Sequence, residues 1–178
     1  MPEEESNFAR GSIELLKILM LTGALVGIYS IFQLWFSANS GTMLFDYNGF
    51  DLFTKSSAFH GQGHYFVYLP LAVLISSAIA VVASVLSFTK HERMGAVAGI
   101  ILGAVIVVVV LQYIYHPQSE MWVESSNMPG SAMVTSIPLG DFLGEGIYSA
   151  LIGGIFLVVG GLIILINRVI GAMSKKEE

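Results

Sequence analysis

Residues 94–115 read MGAVAGIILGAVIVVVVLQYIY and contain no charged side chain. A helix of a water-soluble protein needs a polar face, and this stretch has none. A hydrocarbon core about 30 Å thick takes about 20 apolar residues in helical form, so the run predicts a membrane span. Working outward, three further runs of the same kind appear at 18–36, 67–88 and 146–166, each free of charge. Only 12% of the chain is charged and 54% is apolar, whereas a soluble domain carries about 25% charged residues. The expected fold is an all-α membrane protein: four antiparallel transmembrane helices with a small, partly β exoplasmic cap, forming one integral membrane domain over residues 1–178.

The cations orient the bundle. Arg10 and Lys17 precede or open the first run, Lys90 and Arg93 lie between the second and third, and Arg168, Lys175 and Lys176 close the fourth. The loops 37–66 and 116–145 together hold one cation, Lys55. Basic residues stay on the cytoplasmic side of a membrane. The pattern therefore predicts a multi-pass protein of the cell membrane with both termini inside, an inner turn at 89–93 and two outer loops. Both Trp and all seven Tyr fall toward the outer side, as expected of amphipathic rings at a wet–dry boundary. Glu3-Glu4-Glu5 before the first run is not the basic leader of a signal peptide, so that run is expected to be retained. Residues 1–12 read as a frayed acidic tail. The net charge of −5 excludes a nucleic-acid signature, and the chain has neither cysteine nor an Asn-x-Ser/Thr sequon, which suits a bacterial or archaeal membrane.

The outer loops carry strand signals. Leu44 to Phe53 alternates around Asn48-Gly49, a dipeptide suited to a two-residue hairpin turn. Asn127-Met128-Pro129-Gly130 marks a turn in the second loop. One small sheet built from both loops is the preferred reading; in the competing one, Phe50–Phe53 begins a short helix lying on the membrane surface. An internal echo links Phe32–Phe36 with Leu111–Tyr115 and Pro70-Leu71 with Pro138-Leu139, as two related hairpins would.

Small residues recur every four positions: Gly23 and Gly27; Ser76, Ala80 and Ser84; Gly95, Gly99 and Gly103; Gly146, Ala150 and Gly154, with Gly161 one heptad on. In lipid, helices associate through close backbone approach, which such stripes permit. Packing within the bundle is the leading explanation, and docking of another subunit the functional one. Gln33 and Gln112 lie about one turn below the outer boundary and need hydrogen-bond partners when buried; structural bonding is favoured over lining a pore. No ionisable group is expected near the bilayer middle, where ion-coupled carriers place one. His60, His64 and His116, with Met43, Met121, Met128 and Met133, are of the donor types that bind copper or zinc, although Gly61 and Gly63 make a helical pairing of His60 with His64 doubtful. Asp141 and Glu145 read as acids favoured at a helix N-terminus. No recognised catalytic motif is present, and no cofactor is expected.

Trp35-Phe36-Ser37, Asn48-Gly49-Phe50-Asp51-Leu52-Phe53 and Tyr68-Leu69-Pro70-Leu71 together resemble a loose group of small four-span proteins of archaea and bacteria, over about residues 30–72. The resemblance implies a four-span fold and no activity. The outline is also similar to claudin-like proteins, but their loop disulfide has no counterpart in a chain without cysteine. The function expected is that of a non-catalytic structural or accessory subunit that packs, through its outer cap and a glycine stripe, with membrane lipids and with other integral membrane proteins or itself. A small pore or carrier is the first alternative and an outer-face metal-binding accessory protein the second.

Overall fold

The computed structural model describes residues 2–174 apart from 41–42, 55–58, 61–66, 116–119, 124–136 and 139–142, with side-chain environments given for 11–37, 46–54, 67–115 and 143–170. Helix α1 spans Pro2–Ser30, α3 Leu69–Ser87, α4 Glu92–Tyr115 and α5 Glu145–Ser174. Each contains a segment long and apolar enough to cross a membrane: Gly11–Ser30, Leu69–Ser87, Glu92–Tyr115 and Glu145–Ile170. Between α1 and α3 lie strands β1 (Leu34–Ser40) and β2 (Met43–Asn48), the short helix α2 (Gly49–Thr54) and β3 (Phe59–His60); β4 (Glu120–Val123) and β5 (Ile137–Pro138) lie between α4 and α5.

The four long helices form a ring in which α1 and α4 each pack on both α3 and α5. Sequence neighbours are therefore spatial neighbours, and the up-down order closes with α5 beside α1. The buried positions on each helix include one regular series: Lys17, Met20, Ala24 and Gly27 on α1, with Ile31 just past its end; Pro70, Val73, Ser77, Ala80, Ser84 and Ser87 on α3; Ala96, Gly99, Gly103, Ile106, Val110 and Tyr113 on α4; and Ile147, Ala150, Gly154, Leu157, Gly161 and Ile164 on α5. Gly23, Ser30, Ser76, Ala83, Gly95, Gly146, Gly153 and Gly160 are buried too, each next in sequence to a member of the series, and widen the buried face. Each series alternates steps of three and four, a heptad seam. A repeat of 3.5 against the helical 3.6 supercoils helices left-handedly, the common hand of membrane bundles.

The first helix ends earlier than its apolar run does. Ile31, Phe32 and Gln33 donate to the carbonyls three residues back, at 3.2, 3.0 and 3.2 Å, the tightened turn that finishes many helices. Leu34, Trp35 and Phe36 then enter β1, so the span lies at Gly11–Ser30 rather than 18–36. The helix also begins sooner, at Pro2, replacing the expected frayed tail.

β1 and β2 pair antiparallel, with Ser37 opposite Asp46 and the Ser37 hydroxyl donating to Asp46 Oδ1 at 2.6 Å. Asn48-Gly49 is not their turn. Asn48 Oδ1 instead accepts from the Asp51 amide at 2.7 Å, capping α2 in the way Asn caps helices. Phe50–Phe53 is therefore helical, within α2, and the hairpin centred on Asn48-Gly49 does not form. The two outer loops do share a sheet of order β3-β4-β5, with Phe59 opposite Val123 and Met121 opposite Ile137. The internal echo does not carry into the structure: Leu34–Phe36 is strand where Tyr113–Tyr115 is helix, and Pro70 opens α3 whereas Pro138 lies in β5.

Candidate functional site

Three places concentrate unusual residues: the glycine seams, the outer end around Trp35 and the cation-rich end around Lys17. At the seams, a Cβ added to Gly23 would lie 2.7 Å from the Gly153 carbonyl, and one on Gly153 2.6 Å from the Gly23 carbonyl. Gly103 faces the Gly154 carbonyl at 2.7 Å, Gly154 faces the Gly103 carbonyl at 3.1 Å, Gly161 faces the Ala96 carbonyl at 2.7 Å, and Gly95 faces the Ala83 carbonyl at 2.5 Å. Gly27 meets Ser77, and Gly99 meets the terminal methyl of Met20. Gly23, Gly27, Gly95, Gly99, Gly103, Gly154 and Gly161 thus all approach partners inside this chain, as Gly146 does at Trp35. Met20 is the knob at the centre: its Cε covers Gly99 on α4, and its Cγ would be 2.6 Å from a Cβ on Gly160 of α5.

Polar groups interrupt this interior on α3. Ser77 and Ser84 are fully buried, and among the described residues their hydroxyls have no hydrogen-bond partner, nor has Gln33 Oε1 nearer the strand-bearing end. Ser30 and Ser87 are satisfied, donating to the carbonyls of Gly27 at 2.7 Å and Ser84 at 2.6 Å. Gln112, by contrast, is exposed on the outside of the bundle, so the two glutamines do not line one path.

At the outer end a β-bulge places Trp35 between Leu34, paired with Asn48, and Phe36, paired with Tyr47. Bulges re-aim side chains, and this one turns the indole down onto the bundle, where it is completely buried. Its Nε1 donates to the Ser30 carbonyl at 2.8 Å, a second donor to a helix C-terminal carbonyl that also accepts from the Gln33 amide. The ring meets Tyr113 of α4 edge-on at 5.7 Å between centroids. Gly49 at the head of α2 and Gly146 at the head of α5 both sit against it; an added Cβ would come within 3.0 Å and 2.5 Å. The Gly144 amide donates to the Trp35 carbonyl at 3.1 Å. One side chain thus ties α1, α2, α4 and α5 together. Trp35 and Tyr113 therefore belong to the core, while Tyr29, Tyr68, Tyr115 and Tyr148 remain exposed. Beside them Phe50 of α2 stacks on Phe32 at 6.4 Å and meets Phe53 edge-on at 5.1 Å, with Phe32 and Phe50 facing outward.

At the opposite end Lys17 occupies a seam position with its side chain only 8% exposed. It lies 3.0 Å from Glu14 and 3.7 Å from Glu92 at the start of α4, with its ammonium 5.7 Å from the centre of the Phe88 ring. The partly buried pairing with Glu92 joins α1 to the inner turn; the pairing with exposed Glu14 contributes little. The sequence showed Lys17 as a flanking cation but not as an interior one, because nothing local reveals that Glu92 comes beside it.

The histidines are only partly described. His60 lies in β3 opposite Trp122; His64 and His116 lie outside the described residues, as do Met128, Met133, Asp141 and the 127–130 turn. Glu145 stands in the first turn of α5. Among the described residues no three His, Cys, Asp or Glu side chains converge on a metal position. The chain matches no protein-family model, no curated protein and no solved structure.

Proposed function

We propose that this integral membrane protein is a non-catalytic structural or accessory subunit of the cell membrane, with both termini cytoplasmic, that packs with other membrane proteins or with copies of itself. The observation that carries this reading is the Trp35 lock. It fixes β1, β2 and α2 to the bundle, so this segment is held as a defined surface. Function resides disproportionately in loops presented by a rigid scaffold. Phe32 and Phe50 supply an outward aromatic pair at its edge, the residue type that anchors interfaces. The glycine stripes are spent inside the bundle, so docking falls to the cap and this pair.

Blue-native electrophoresis of tagged protein from mild detergent, with mass spectrometry of the band, tests the reading. A complex larger than the monomer is expected, and Phe50→Ser is expected to reduce it. A lone monomer counts against a subunit role.

The buried Ser77, Ser84 and Gln33 oxygens favour a second reading, a small pore or carrier along the α1–α3 seam. A polar solute passing there would meet the hydrogen-bonding capacity these groups leave unused. Liposome flux that Ser77→Ala and Ser84→Ala leave unchanged would reject it.

A further inference from the structure

A cavity of about 390 Å³ opens at the cation-rich end between α4 and α5, lined by Arg93, Val97, Leu165, Arg168 and Val169. Arg93 and Val97 are one turn apart on α4; Leu165, Arg168 and Val169 share one face of α5, since residues three and four apart are helix neighbours. Two guanidiniums therefore stand at the mouth of an otherwise aliphatic cleft. Neither makes an ion pair among the described residues. The acid nearest in sequence, Glu92, points instead to Lys17. One turn further along each helix, Ile101 beyond Val97 and Leu162 beyond Leu165 are exposed apolar side chains.

We infer that this cleft binds an anionic phospholipid, its phosphate held by Arg93 and Arg168 and an acyl chain lying along Val97, Leu165 and the apolar side chains beyond them. Guanidinium presents fixed pairs of donors that match phosphate oxygens, and basic pockets between membrane helices select acidic headgroups. A protein partner's carboxylate would satisfy the arginines equally well, but it would not explain why the walls are aliphatic and open onto the hydrocarbon. The site depends on the bundle lying in a membrane, not on the subunit role, so either stands if the other fails.

Native mass spectrometry of the full chain in mild detergent tests it, with phosphatidylglycerol and phosphatidylcholine offered in equal amounts. Wild type should retain phosphatidylglycerol with on the order of tenfold preference. Arg93→Gln with Arg168→Gln should abolish the preference, and Val97→Trp, which fills the cleft and keeps both charges, should reduce it. Lys90→Gln, an exposed cation at the same end but outside the cleft, should leave it intact. Millimolar inorganic phosphate should not displace the lipid. Equal retention of the two lipids by wild type overturns the proposal, as does equal loss with Lys90→Gln, since that means diffuse surface charge. Preference surviving in Val97→Trp overturns the cleft, and displacement by inorganic phosphate overturns the lipid as ligand.

Discussion

At the scale of single residues, what each glycine faces decides what it contributes. Alanine is the better helix former by about 0.5–1 kcal/mol, so any loss on Gly→Ala measures packing. Gly11 has nothing within 4 Å of an added Cβ, and Gly11→Ala should stabilise by about that amount. Gly99 faces the terminal methyl of Met20, with the Leu157 carbonyl at an ordinary 3.9 Å from an added Cβ; Met is unbranched and adapts readily, so Gly99→Ala should change stability by less than about 1 kcal/mol. Gly23 faces the Gly153 carbonyl at 2.7 Å and the Phe156 Cβ at 2.8 Å, atoms that move only with their helix. Gly23→Ala should therefore cost about 1–3 kcal/mol, the usual range for overpacking. Thermal unfolding of the three variants in one mild detergent gives the order; Gly23→Ala no worse than Gly99→Ala would contradict backbone contact as the basis of the α1–α5 crossing. The stripes were visible in the sequence because size is the only variable left when both faces of a helix are apolar. Their partners were not visible, since the Gly23–Gly153 contact joins residues at opposite ends of the chain.

At the scale of elements, misreadings cluster where one local signal serves two structures. Leu34-Trp35-Phe36 continues the apolar run of α1 without a break, and short apolar runs do not distinguish helix from strand. Asn48-Gly49 suits a hairpin turn and an N-cap alike, and the choice falls to the cap because the hairpin already closes between Ser40 and Met43. What fixes both outcomes is Trp35, whose contacts on α2, α4 and α5 are long-range and leave no local trace. Removing them should loosen the cap and spare the helices. Trp35→Phe keeps most of the ring and deletes the donor to Ser30; the Ser30 carbonyl still accepts from the Gln33 amide at 3.2 Å, so the cost is that of one hydrogen bond, about 0.5–1.5 kcal/mol. Trp35→Ala adds a cavity and should cost about 3–5 kcal/mol. Hydrogen exchange should show faster exchange over residues 34–54 in both variants, larger in Trp35→Ala, with the middle of α4 unchanged. Uniform loss of protection along the chain would make Trp35 an ordinary core residue.

At the scale of the whole molecule, the four spans were legible because their composition alone requires lipid, and the heptad seam was legible only in part. Soluble bundles announce a seam by polarity; here Val97, Ile101 and Val108 face outward and are as apolar as the seam's Ile106 and Val110. The orientation rests on a separate quantity, the placement of cations, and the structure separates the two ends by more than charge. One end carries the strands and the buried Trp35; the other carries Lys17, Lys90, Arg93 and Arg168. Under the proposed topology, which follows the positive-inside rule, the second end is the cytoplasmic one. Because the chain has no cysteine, single substitutions report without background. Thr54 in α2 and Lys90 in the turn between α3 and α4 are both exposed, so neither replacement disturbs the seam. In intact cells a maleimide unable to cross the bilayer should label Thr54→Cys and should label Lys90→Cys only after permeabilisation. The reverse pattern would invert the protein, move the Arg93–Arg168 cleft to the exterior leaflet and turn the strand-bearing cap inward, so one labelling experiment decides which surface is available to a partner outside the cell.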